Sequence, residues 1–285
     1  MHPNNPFLNA YDFDALIKSI PNLANYVFTN KYGTQTIMFS NQDAVNCLNT
    51  ALLKNQYGID WWIPKNNLCP PIPGRLDYLL HIKDLLNESG VKNNITLLDI
   101  GTGANLIYPI LGTCHFNWTC YGTDIQEESI RNAKAIIQKN HSIQSITLFT
   151  QQAKDLIFKN IILPTHYFDV VVCNPPFFKS SKDAQNNNLR KVKNLKLHTS
   201  EKLNFGGLDN ELWCKGGEEE FVKKMATESV LYKNQVHWFT ALISNKDHLY
   251  TIQKTLNKLA VTKVKIVGME QGNKISRFIA WTFKS

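Results

Sequence analysis

The chain has 285 residues, 43% of them hydrophobic, enough for one large domain or two small ones with a sizeable core. No apolar run approaches ~18 residues, so no transmembrane helix is expected, and Met1-His2-Pro3-Asn4-Asn5 lacks the basic and apolar regions of a secretory signal. The formal charge of +8 is lopsided: residues 1–150 hold 10 Lys/Arg against 11 Asp/Glu (net −1), residues 151–285 hold 21 against 12 (net +9). A basic half beside a near-neutral one suits a polyanionic partner on one face. The six cysteines form no C-x-x-C pair and read as reduced thiols of a cytoplasmic protein rather than as disulfides or a zinc site.

In chain order, residues 1–90 read as a helical, loop-rich N-terminal module. Asp12 caps a short helix through Ile20, stopped by Pro21. Ala44, Cys47, Leu48, Ala51 and Leu52 keep helical spacing within a helix from Asn41 to Leu53. The proline-rich segment from Ile63 to Gly74 is expected to be extended but ordered, with Trp61, Trp62 and Leu68 as surface to bury. Helical periodicity resumes from Arg75 to Leu86.

From about residue 91 strands and helices alternate. Expected strands are 95–100, 118–123, 145–150, 168–173, 236–244, 261–267 and 277–283. The last two form a hairpin around Gln271-Gly272-Asn273-Lys274. Expected helices are 104–111, 127–140, 218–231 and 247–259. This pattern predicts an α/β fold, a mostly parallel seven-stranded sheet with helices on both faces, over residues 91–285.

Three strand ends carry chemistry. Asp99-Ile100-Gly101-Thr102-Gly103 follows the first strand of the alternating region as a glycine-rich turn that admits close backbone approach. Leu106 stands where a G-x-G-x-x-G fingerprint needs its third glycine, which counts against a dinucleotide. Asp99 can pair with a cationic amino-acid end, and Asp124, closing the second strand, can accept both hydroxyls of a ribose. A ribose and an ammonium without phosphates point to S-adenosylmethionine. After the fourth strand come Asn174-Pro175-Pro176-Phe177. The Asn side-chain oxygen and the next carbonyl can each accept one N–H of a planar amine, such as the exocyclic amine of adenine. The prolines stiffen the turn and leave its carbonyls free, and Phe177 can stack on a base.

Lys179 to Lys202 holds seven Lys/Arg against two acids. Lys179, Lys182, Arg190, Lys191 and Lys193 are the candidate phosphate contacts, whether the segment is a solvated loop or one ordered by substrate. The following stretch, Phe205-Gly206-Gly207 and Glu211-Leu212-Trp213-Cys214-Lys215-Gly216-Gly217-Glu218, is either a lid over the base or a plain connection.

The Asn-Pro-Pro-Phe-Phe turn, Pro70-Pro71-Ile72-Pro73-Gly74-Arg75, Leu203-Asn204-Phe205-Gly206-Gly207, Glu211-Leu212-Trp213-Cys214 with Gly216-Gly217-Glu218, and Lys274-Ile275-Ser276-Arg277 together resemble one family. It is the bacterial 23S ribosomal RNA adenine-N6 methyltransferases of the large-subunit methyltransferase F type, related to the eukaryotic U6 small nuclear RNA adenine-N6 methyltransferase. The likeness covers nearly the whole chain; only the Asn- and Lys-rich loop departs from it. It implies a class I S-adenosylmethionine-dependent methyltransferase fold, Asn174 to Phe177 on the target adenine, and Gly101 and Asp124 on the cofactor. It also implies Arg75 on the cofactor's carboxylate; no metal is expected, because a sulfonium already supplies a good leaving group. The substrate it implies is one adenosine of 23S rRNA, free or in a large-subunit assembly intermediate, for an enzyme expected to be monomeric. A protein glutamine methyltransferase, a non-catalytic RNA-binding module and an NAD-dependent oxidoreductase are the competing readings.

Overall fold

The computed structural model describes residues 1–65, 67–153, 155–179, 213–271 and 274–285. The N-terminal region opens with α1 (Phe13–Ser19), whose N-cap Asp12 accepts from Ala15 N at 3.0 Å. Then come two short strands, β1 (Val27–Thr29) and β2 (Gln35–Ile37), paired antiparallel. The sequence reading missed this hairpin because three residues are too few for a period of two to register. Its turn is closed by Asn30 Oδ1, which accepts from Tyr32 N and Thr34 N.

Next are α2 (Gln42–Tyr57), capped by Asn41, and α3 (Ile72–Glu88). α3 starts three residues before the expected Arg75. Pro71 sits at its N-cap and Pro73 in its first turn, where the missing N–H would have had no helical partner anyway. What reads as extended in sequence is therefore a helix start, and Arg75 stands in its first turn.

β3 (Thr96–Ile100), α4 (Ile107–Phe116), β4 (Thr119–Asp124), α5 (Glu127–Lys139), β5 (Thr147–Thr150) and β6 (Phe168–Cys173) follow. They are succeeded by α6 (Gly217–Ser229), β7 (Val236–Ile243), α7 (His248–Lys258), β8 (Lys263–Gln271) and β9 (Lys274–Thr282). α4 begins later than the expected Ala104. Gly101, Gly103 and Leu106 all take positive φ, and Asn105 Oδ1 caps Ile107 N at 3.0 Å, so residues 101–106 form an irregular turn. Leu106 adopts φ 54 at the position where a dinucleotide fingerprint has its third glycine, yet its side chain is fully buried.

The seven-stranded sheet has the order β5-β4-β3-β6-β7-β9-β8, parallel from β5 to β7, with β9 antiparallel to both neighbours. Side chains alternate between its faces. Leu97, Val170, Val172 and Trp238 join the apolar cluster that includes α1, α2, α3 and α4. Leu98, Val171, Phe239 and Ala241 join the opposite cluster, with α6 and α7. α3 is anchored by Tyr78, whose hydroxyl lies 2.6 Å from that of Thr240 on β7, and Trp238 Nε1 donates to Ser89 Oγ just beyond the helix. All six cysteines are free thiols. Among the described residues no helix is long and apolar enough to cross a membrane.

Candidate active site

The chain runs outward through β3, β4 and β5, then returns to place β6 and β7 on the other side of β3. The order reverses between β3 and β6, and in such sheets ligands bind at the carboxyl ends flanking that reversal. The register brings the predicted residues together there. Ile100 is the Cα partner of both Thr123 and Cys173, so Gly101, Asp124 and Asn174 each begin one residue beyond adjoining strand positions.

The glycine turn is tied to β4. Gly101 N and Thr102 N both donate to Thr123 O at 2.9 Å, and Gly103 N donates to Asp124 Oδ2 at 2.9 Å. Gly122 makes this approach possible, since a Cβ there would lie 2.9 Å from both Thr102 Oγ1 and Leu148 Cδ2. The first three amides of the turn are thus engaged within the protein, and a pyrophosphate would find none of them to bind. That disfavours a dinucleotide and suits a cofactor without phosphates. The other oxygen of Asp124, Oδ1, accepts from Gln126 N at 2.9 Å. Burial raises the Asp124 carboxyl above its ordinary value, opposed by the amides of Gln126, Gly103 and Ile125. Each oxygen retains a lone pair for a hydroxyl.

These strand ends open on a cavity of about 890 Å³, within the size range of small-molecule sites. Arg75, Gly101, Gly103, Asp124, Asn174 and Pro176 line it. Arg75 reaches it from α3, its Nη1 donating to the Tyr108 hydroxyl at 3.1 Å. Pro175 is buried and Phe177 half-buried, and neither is in the wall. The wall also contains Gln151, Asp155, Leu156 and Ile157, which the sequence reading passed over. The rule that singled out Asp124 and Asn174 points there too, because this segment follows the third parallel strand. Gln151 shapes it: Nε2 donates to Ile157 O and Lys159 O, and Oε1 accepts from Ala153 N.

Asp99 is set apart. It is fully buried, outside the cavity wall, and neither carboxylate oxygen has a hydrogen-bond partner. The structure therefore offers no direct contact surface for the expected pairing with an ammonium group. Burial pushes its carboxyl up to about 7; the nearby Thr102 hydroxyl and Arg75 pull it down, and Asp124 adds to the rise. A raised folded-state value means that the folded protein holds this proton more tightly than the unfolded chain. That contribution is complete below the ordinary aspartate range and is lost as pH climbs through about 7. Asp99→Asn should consequently melt several degrees above the wild type at pH 8, with the difference shrinking towards pH 5. Thermal denaturation across that range checks this, and a difference independent of pH would contradict it.

Beyond Asn174 the chain reaches Phe178, which bridges Trp213, and Cys214 N donates to Phe178 O at 3.1 Å. Lys179 is exposed at this neck, packed against Gly217, where a Cβ would lie 3.0 Å from Lys179 Cγ. Lys182, Arg190, Lys191 and Lys193 lie outside the described residues, as do Leu203 to Gly207, Glu211 and Leu212. The wall supplies two cations the sequence reading did not single out, the exposed Lys215 and Lys224. Four buried polar atoms of wall residues have no partner: the hydroxyls Thr102 Oγ1 and Thr123 Oγ1 beside the glycine turn, and Asn174 Oδ1 and Trp213 Nε1 at the neck.

The comparisons with known proteins agree with this geometry. A family model described as RNA methyltransferase matches residues 1–285. The ribosomal RNA large subunit methyltransferase F of Christiangramia forsetii is 50% identical over 285 residues, spanning 99% of this chain and 100% of the relative. Its namesake from Flavobacterium johnsoniae is 48% identical over 294 residues, spanning 99% and 93%. The catalytic domain of human METTL16, solved with the MAT2A 3'UTR hairpin 1, superposes with a TM-score of 0.85 at 29% identity, covering 100% of this chain and 96% of that one. The N-terminal domain of human METTL16 in complex with SAH, the demethylated cofactor, gives 0.80 at 25%, covering 100% and 98%. The substrate is RNA and the cofactor S-adenosylmethionine, which removes the protein-glutamine, binding-only and oxidoreductase readings. The chain belongs to the RNA methyltransferase family, as an S-adenosylmethionine-dependent enzyme with a class I methyltransferase fold.

Proposed function

We propose that this enzyme methylates N6 of one adenosine in 23S rRNA. The observation that carries the reading is the buried, unpartnered Asn174 Oδ1, on a residue that lines the cavity one step beyond Cys173, whose register partner Ile100 immediately precedes the glycine turn. An acceptor without a partner costs roughly 1–3 kcal/mol, which a substrate N–H would relieve.

The exocyclic amine of adenine is a poor nucleophile because its lone pair is delocalised into the ring. Asn174 Oδ1 accepts one N–H; the carbonyl of Pro175, a buried residue between the wall residues Asn174 and Pro176, would accept the other, and the pair would hold the amine pyramidal and localise its lone pair. Pro175 and Pro176 keep that corner rigid. Bound S-adenosylmethionine supplies an electrophilic methyl group on a sulfonium. Arg75 holds its carboxylate and Asp124 its ribose hydroxyls, with Gly101 and Gly103 allowing close backbone approach. Orientation of this kind is worth up to ~7–11 kcal/mol of the barrier. The target base must leave its stack to enter the cavity, so an unpaired or flipped adenosine is the substrate form.

Lys179 at the neck, with Lys182, Arg190, Lys191 and Lys193, would hold RNA phosphates. The same reading keeps residues 1–90 as an N-terminal module and 91–285 as the methyltransferase domain, in a monomeric cytoplasmic enzyme acting on 23S rRNA or an assembly intermediate. The test is to map N6-methyladenosine in rRNA from cells with and without the gene, alongside labelled-methyl transfer by purified enzyme. Loss of one site in 23S rRNA is expected; an unchanged map would refute the reading.

A further inference from the structure

Trp213 is the one tryptophan among the described residues whose indole nitrogen is buried without a partner. The indoles of Trp61, Trp62, Trp238 and Trp281 donate to Asn105 O, Asn132 Oδ1, Ser89 Oγ and Ser229 Oγ at 2.8–2.9 Å. An indole N–H can only donate, so the orphan at Trp213 calls for an acceptor. Its backbone is pinned to the turn that bears Asn174: Trp213 bridges Phe178, and Cys214 N donates to Phe178 O at 3.1 Å. Both Trp213 and Asn174 line the same cavity, and each brings a buried unmatched polar atom, a donor on Trp213 and an acceptor on Asn174.

We propose that Trp213 reads the target base, donating its indole N–H to a ring nitrogen that flanks the amine held by Asn174. This rests on the adenine-N6 assignment above. Adenine offers an amine donor beside a ring-nitrogen acceptor on both its edges, through N1 on one and N7 on the other. An acceptor at Asn174 with a donor at Trp213 matches either edge. Guanine presents O6 and N1–H, the reverse order on its pairing edge, and would leave both protein atoms opposed. Trp213 is therefore a specificity residue that touches substrate, and its indole is more than filling for the neck.

The experiment uses RNA oligonucleotides carrying adenosine, 1-deazaadenosine or 7-deazaadenosine at the methylated position, with wild-type enzyme and Trp213→Phe, measuring kcat/KM by labelled-methyl transfer. The wild type is expected to lose roughly 10- to 100-fold on one of the two analogues, which names the edge that is read. Trp213→Phe should lose a similar factor on adenosine and no longer discriminate against that analogue. This non-additivity separates a direct contact from any change the analogue makes to the amine itself. Calorimetry should show unchanged affinity of Trp213→Phe for S-adenosylmethionine; lost affinity would mark a structural role and overturn the proposal. Wild-type rates within about twofold on both analogues would overturn it with no variant needed. If the wild type puts no methyl on N6 of adenosine, the parent assignment itself fails, which is a different result.

Discussion

Asn174→Ala is expected to bind S-adenosylmethionine with wild-type affinity and to transfer methyl groups about 10²- to 10³-fold more slowly, the range seen when one preorganised polar contact is removed from a reacting centre. Two properties of the site separate the effects. The cofactor contacts assigned to Arg75, Gly101 and Asp124 arise from α3, the β3–α4 turn and the end of β4, none of which depends on the Asn174 side chain. Asn174 Oδ1 makes no hydrogen bond within the protein, so its removal costs the fold little. Truncation should lower kcat and leave the melting temperature nearly unchanged. Single-turnover transfer and calorimetric titration with the cofactor measure the two effects separately. Near-wild-type turnover would remove Asn174 from the reaction, and a large loss of stability would mean that it acts in the fold instead.

Glu218→Ala should have the largest effect on stability, a loss of roughly 3 kcal/mol, which for a chain of this size is a fall of about 5 °C in the melting midpoint. Glu218 is fully buried in the first turn of α6. Its Oε2 accepts from Ser244 N at 2.7 Å, and its Oε1 lies 2.8 Å from His248 Nδ1. One carboxylate thus joins the start of α6 to the end of β7 and the start of α7. Alanine would strand the Ser244 amide and the imidazole and open a void. The damage should spread to the site, because Lys215, Gly216, Glu220 and Lys224 all line the cavity from this segment. Glu218→Gln, whose amide oxygen still accepts from Ser244, should lose only about 1 kcal/mol. Denaturant melts of the two variants test the order; equal losses would show that burial rather than acceptance matters here.

Much of the fold is legible in one dimension because its signals are local. Strands buried on both faces are continuous apolar runs, as in Val170-Val171-Val172, and helices announce themselves through caps such as Asp12 and Asn41. The misplacements fall where a local rule meets a second one. Pro71 and Pro73 read as extended chain, yet they open α3, because a proline costs nothing in a first turn. Ala104 looks like the start of a helix, yet three positive-φ residues delay α4 to Ile107.

At the site, the residue types were already eloquent: a polar asparagine locked by two prolines at a strand end, a glycine pair, and an acid closing each of the first two strands of the alternating region. Chemistry of that kind depends on which atoms a residue carries, and those are written in the chain. Proximity depends on strand order and register, which arise from pairing between segments some seventy residues apart and leave no local trace. Only the folded sheet sets Ile100 against both Thr123 and Cys173, buries Asp99 outside the cavity wall, and brings Trp213 back to the neck beside Phe178.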